Sequence, residues 1–166
     1  TNENSINSWT GPSKKHDFTT ENILIETKTT STDSKKINTS SNNQIAPIFE
    51  KELKLIFLQI KKNINGLSLV DVISNYLEIL KTESDILHNN FLLKLVQCSY
   101  FDIHKDEYTE KYLIDKINYF EVRDNFPYIK KVEIPVEISD LSITYKIDLD
   151  KCEEFRINED NLLETL

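Results

Sequence analysis

The sequence is poor in the residues that mark several common functions. Only two glycines, Gly11 and Gly66, stand among its 166 residues, which all but excludes a Gly-rich phosphate loop. Its two cysteines, Cys98 and Cys152, lack metal-ligand spacing. They carry no zinc signature and fit two unpaired thiols in a reduced, cytoplasmic protein. No stretch approaches the ~18–20 apolar residues of a membrane span, and there is no signal-peptide pattern and no internal repeat. Methionine is absent and the chain starts at Thr1, which reads as a processed chain or a piece of a longer one. Positive charge is also short. A formal net charge of −8 argues against a basic module that holds nucleic acid by charge alone. Any strand-binding basic surface would be local or belong to a partner.

What is present suits one domain. Hydrophobic residues make up 39% and charged residues 29% of the chain, enough for a sizeable core at this length. The most informative stretch runs from Lys15 to Lys28 and reads as a hairpin. Alternation in a strand puts Leu24, Glu26 and Lys28 on one face and Ile23, Ile25 and Thr27 on the other. A two-residue turn at Glu21-Asn22, or a four-residue loop over Thr20 to Ile23, sets Thr20 opposite Ile23, Phe18 opposite Ile25 and Asp17 opposite Glu26. Directly opposed residues share a face, with Cβ atoms about 4.5–5.5 Å apart. Two carboxylates about 5 Å apart repel by roughly 3 kcal/mol at an effective dielectric of about 20. A divalent cation between them would reverse the sign, and a hard ion such as magnesium takes one or two carboxylates plus waters. Without the ion, Glu26 and Lys28 are ordinary charges on a solvated strand.

Along the rest of the chain, residues 1–15 read as a polar loop in which Trp9 is a packing anchor. Ser31 to Ser34 form a turn. Lys36 to Ser40 then read as a third strand completing a meander with the first two, and Gln44 follows at its end. Leu53 to Ile60 is a short apolar run that favours a buried strand, closed by a break at Asn63-Ile64-Asn65-Gly66. Ser68 and Asp71 make a capping box for a helix whose inner positions are Leu69, Val70, Ile73, Leu77 and Leu80. A second helix from Ser84 turns Leu87, Phe91, Leu92, Leu95 and Val96 inward, so the pair is a helical hairpin covering one sheet face. His88 and His104 are surface or capping residues. Residues 112–122 form a strand ended by Phe126-Pro127. Ser142 to Leu149 alternates cleanly as another strand, with Ile143, Tyr145, Ile147 and Leu149 inward. The expected organisation is a β core over 1–62, the helical hairpin over 63–111, C-terminal strands of the same domain over 112–157, and a tail over 158–166.

An aspartate, a short hairpin and then Glu-x-Lys resembles the signature of the PD-(D/E)XK nucleases. The chain is most similar to a bacterial group of PD-(D/E)XK motif proteins encoded with restriction-type defence genes. The resemblance lies in Trp9-Thr10-Gly11-Pro12, His16-Asp17-Phe18, Glu26-Thr27-Lys28-Thr29, the polar stretch Ser40-Ser41-Asn42-Asn43-Gln44, and a later Phe-Pro pair, Tyr-x-Ile-x-Leu strand and Cys152. It implies an α/β (α+β) fold, a restriction-endonuclease-like core with a mixed β-sheet, a helical hairpin on one face and additional C-terminal strands. It also implies hydrolysis of DNA phosphodiester bonds assisted by Mg²⁺ or Mn²⁺. Asp17, Glu26 and the Thr27 carbonyl would hold the metal, Lys28 would orient the attacking water, and Gln44 and His16 would lie on the substrate side. Other subunits of a defence system and a homodimer are the partners it suggests, with no membrane. In the related group a helix with a further acid precedes the Trp-x-Gly-Pro segment. This chain starts too late to contain it, and Glu3 is in the wrong context to replace it. The competing class is therefore a catalytically inactive nuclease fold serving as an adaptor or interaction subunit.

Overall fold

The computed structural model describes residues 2–11, 14–39, 44–48, 50–130, 133–138 and 143–163. Pro12, the polar stretch Ser40 to Asn43, Ser142 and the last three residues of the expected tail lie outside them. A mixed five-stranded sheet organises the described chain, in the order β1-β2-β4-β5-β7. Its strands are β1 (Phe18–Thr19), β2 (Ile23–Thr30), β4 (Glu52–Leu67), β5 (Tyr112–Val122) and β7 (Arg156–Ile157). A separate two-stranded sheet pairs β3 (Lys36–Asn38) with β6 (Lys146–Asp148). Four helices complete the elements: α1 (Asn2–Ser8), α2 (Leu69–Glu83), α3 (Asp85–Gln97) and α4 (Glu159–Leu163).

The hairpin register follows the alternation. Phe18 opposes Ile25 and Thr19 opposes Leu24, and the Thr20 N–H donates to the Ile23 carbonyl at 2.8 Å. The far side of β2 pairs in parallel with β4, setting Glu26 beside Leu55 and Lys28 beside Phe57. This corrects the expected meander. The free edge of β2 goes to the long apolar strand, which is buried on both faces from Leu53 to Leu55, as befits a strand inside a sheet. The short polar β3 instead pairs antiparallel with β6.

The break expected at Asn63 to Gly66 takes the form of an interruption inside β4: Lys62 and Leu67 both pair with Tyr112, so the residues between them bulge out of the ladder. Register shifts occur after Gln59 and Lys62, and Gly66 lies at the second. A Cβ there would meet the Tyr112 backbone, so glycine permits a close strand approach at the end of the bulge. The Ser68–Asp71 capping box is present in full.

Two cores result. One lies on the sheet face of Leu24, Leu53, Leu55, Phe57, Phe120 and Val122, covered by Ile37, Ile45, Ile147, Leu149 and Phe155. Strand parity puts Glu26 and Lys28 on that same face. The second gathers Ile6, Ile73, Leu80, Phe91 and Leu95, with Trp9 and Tyr76 packed against it. Phe18 lines the cavity it shares with Trp9, Tyr76 and Phe91, which joins the helical layer to the other face of the hairpin. The loop expected over the first residues is thus the short helix α1, with Ile6 buried. Its acid, Glu3, is exposed.

Three expected core positions point to solvent instead: Leu69 (47% exposed), Leu92 (39%) and Val96 (52%). The inner face of α3 is set by Phe91 and Leu95. Phe91 packs edge-on against Tyr76 at 4.9 Å and meets Trp9 at 5.9 Å. The C-terminal alternation holds for burial, with Ile147 and Leu149 inward. The regular strand is shorter than expected: it begins only at Lys146, and Leu149 already begins a 3₁₀ turn capped by Asp148.

Candidate active site

The local chain dictates where the site forms. Trp9 bridges Phe18 across the edge of β1. Just beyond, the Thr10 N–H donates to the Asp17 carbonyl at 2.9 Å, and the Thr10 hydroxyl donates to the His16 carbonyl and, at 3.1 Å, to that of Asp17. These bonds fix the backbone of His16 and Asp17 beside β2. The His16 side chain is buried.

Glu26 is the centre. It is one of the most buried side chains, 2% exposed, on the sheet face of Leu24, Leu55 and Phe57. One oxygen, Oε1, meets the Lys28 ammonium at 2.8 Å. The other, Oε2, lies 3.7 Å from His16 Nδ1, too far for a hydrogen bond. Lys28 also donates to Gln44 Oε1 at 3.0 Å. Of the residues expected from sequence, His16, Glu26, Lys28 and Gln44 are thus brought together in one cluster.

Asp17 takes a different course. The ladder ends at Phe18, and the Asp17 carboxylate turns to Thr27. Its Oδ2 accepts from the Thr27 N–H at 2.7 Å and from the Thr27 hydroxyl at 2.5 Å. The physical reason is plain. The Thr27 N–H lies past the end of β1 and needs an acceptor. Turning there also avoids the repulsion that facing Glu26 without a cation would bring. Oδ1 stays outside both bonds, with Thr27 standing between Glu26 and Lys28 in the chain.

Three buried atoms in this cluster have no hydrogen-bond partner: Glu26 Oε2 and both ring nitrogens of His16. Buried polar atoms are rarely left so, and each one unsatisfied costs about 1–3 kcal/mol. A carboxylate oxygen and an imidazole nitrogen left open side by side are donors suited to a divalent cation. Among the described residues no three His, Cys, Asp or Glu side chains converge as a ready metal cage. The donor set therefore fits a divalent ion that keeps several of its waters.

Sequence reasoning missed Lys15. It is exposed overall, yet partial desolvation of its ammonium pulls its pKa below the ordinary lysine value, with the negative charge of Glu26 acting the other way. Its place one residue before the His16-Asp17 pair was the only signal in the sequence. Thr27 was expected to contribute only its carbonyl. Its N–H and hydroxyl hold Asp17 as well.

A mixed α/β chain with this sheet and this Asp…Glu-Thr-Lys hairpin has a restriction-endonuclease-like fold. A family model described as "Putative PD-(D/E)XK family member, (DUF4420)" matches residues 1–150, and the chain belongs to that family. Neither the curated proteins nor the solved structures gave a match. Membership points to nuclease-type chemistry, and PD-(D/E)XK nucleases generally use Mg²⁺ or a similar divalent ion. No helix among the described residues is long and apolar enough to cross a membrane.

Proposed function

We propose that this chain is a metal-dependent DNA endonuclease, or the nuclease subunit of a bacterial restriction or defence system acting in the cytoplasm. The observation that carries the reading is Glu26: a buried carboxylate with one oxygen on Lys28 and the other unpaired. Glu26 and Asp17 Oδ1 would hold Mg²⁺ or Mn²⁺, with the Thr27 carbonyl as a further oxygen. The bound ion would supply Lewis acidity and a more acidic water.

The chain's own groups do the rest. Glu26 Oε1 fixes the Lys28 ammonium at the mouth of the cluster, where it can orient the attacking water and stabilise charge developing at phosphorus. Gln44 braces the same ammonium from the other side. It is thereby placed to position Lys28 and to meet substrate or water. Lys15, exposed and close enough to feel Glu26, supplies local positive charge for a phosphate that the net charge of −8 otherwise repels.

The test is cleavage of plasmid DNA with Mg²⁺ or Mn²⁺ against an EDTA control. Glu26→Gln and Lys28→Ala are expected to lower the rate by at least about 10²-fold, the scale of removing one preorganised electrostatic group. Undiminished cutting by both variants refutes the assignment. A wild-type chain that binds its partners but never cleaves is the inactive adaptor instead.

A further inference from the structure

We propose that His16 is itself a metal ligand, so that the cation is held by an imidazole nitrogen together with a carboxylate. This rests on the reading of Glu26 as the metal carboxylate. The resemblance places His16 only on the substrate side.

The geometry argues for ligation. His16 is 5% exposed and Glu26 2%, so neither facing atom is left to water. His16 Nδ1 and Glu26 Oε2 both lack hydrogen-bond partners, and they lie 3.7 Å apart. That gap is too wide for a hydrogen bond. It is close to the spacing of two donors of one ion: with each bond at about 2.1 Å, neighbouring ligands stand roughly 3.0–3.4 Å apart, a few tenths of an ångström less than this gap. Glu26 cannot swing away, because Lys28 holds Oε1 at 2.8 Å. The Thr10 bonds to the His16 and Asp17 carbonyls hold the imidazole's backbone in place. Asp17 meanwhile bonds Thr27 through Oδ2, which leaves the imidazole as the buried side chain facing Oε2.

An imidazole in the first coordination sphere alters metal choice. Carboxylate, carbonyl and water suit Mg²⁺, whereas imidazole favours later transition metals. The site is therefore expected to prefer Mn²⁺ or Co²⁺ over Mg²⁺, and His16→Gln to lessen that preference.

Mn²⁺ is the probe. Its binding to the full chain is followed by electron paramagnetic resonance, and its ligands by the nitrogen modulation of the electron spin echo. Wild-type protein should show coupling to a directly bound nitrogen that changes when histidine is labelled with ¹⁵N. His16→Gln should abolish that coupling and weaken Mn²⁺ at least about tenfold, with a smaller effect on Mg²⁺ measured by competition. Glu26→Gln should weaken both ions. The labelled wild type needs no substitution, so the test survives a variant that fails to fold. Mn²⁺ bound with no nitrogen coupling, or coupling that persists in His16→Gln, overturns the proposal and leaves the nuclease reading standing. Metal affinity unaffected by Glu26→Gln overturns the nuclease reading itself.

Discussion

Asp17 offers the sharpest test of how the hairpin is built. Its Oδ2 accepts two bonds from Thr27, at 2.7 and 2.5 Å, lengths typical of charge-assisted hydrogen bonds. Such bonds contribute about 1.5–3 kcal/mol each. Asp17 is half-buried, so solvent competes and the lower end applies. Asp17→Ala should then cost about 3 kcal/mol and Thr27→Val, which removes only the hydroxyl bond, about 1.5 kcal/mol. The double variant should cost little more than Asp17→Ala, giving a coupling of about 1.5 kcal/mol. For a chain of this length each kcal/mol moves Tm by about 2–4 °C, so Asp17→Ala should melt about 6–12 °C lower. Urea unfolding in EDTA measures all four proteins without any metal contribution. A loss below about 0.5 kcal/mol for Asp17→Ala, or strict additivity in the cycle, would refute the bonding scheme.

Other parts of the fold make comparable demands. Gly66→Ala drives a Cβ into the Tyr112 backbone and should destabilise by about 1–3 kcal/mol; an unchanged urea midpoint would contradict the close approach. Lys54 is buried between Glu52 and Glu121, each at 2.9 Å. Replacing both glutamates with glutamine strands its charge and should cost about 3–5 kcal/mol, whereas Lys54→Met, which strands none, should be close to neutral. Burial opposes the charged form of Lys54, but the bonds and charges of Glu52 and Glu121 win and raise its pKa above the ordinary 10.5. Its stabilisation is therefore complete below pH 10.5 and lost as pH rises through the higher folded value, so alkaline titration of stability should separate wild type from Lys54→Met there. At the α2 cap, the Ser68 N–H, then its hydroxyl and Lys111, hold the Asp71 carboxyl below its ordinary 3.8. That contribution is present above pH 3.8 and lost as pH falls through the lower folded value. The stability gap between wild type and Asp71→Asn should close on acidification, and a constant gap would exclude the capping role.

The parts legible in the sequence were those set by short-range periodicity. Two-residue alternation placed Phe18 against Ile25 and put Glu26 and Lys28 on one face. The capping box fixed the start of α2. What failed depended on distant parts of the chain. Nothing local in Lys36 to Asn38 tells that its partner is Lys146 to Asp148, or that β2 would accept β4 instead. Leu92 and Val96 fit an inward helical stripe as well as Phe91 and Leu95 do, until α1 and Trp9 select the face. Gly66 has the composition of a turn, and only the opposing Tyr112 backbone reveals why it is there. The turn of Asp17 toward Thr27 is a side-chain choice that strand parity does not encode.

The parallel pairing of β2 with β4 also orders events in time. His16 and Lys28 reach Glu26 within a local hairpin, a unit that closes in about 1–10 μs. Gln44 belongs to the crossover between Thr30 and Glu52, and a parallel ladder forms only once such a connection has closed. The second bond of the Lys28 ammonium is therefore expected to form later than the first. On that order, a spectroscopic probe at Gln44 would report completion of the sheet, while one at His16 would report only the hairpin.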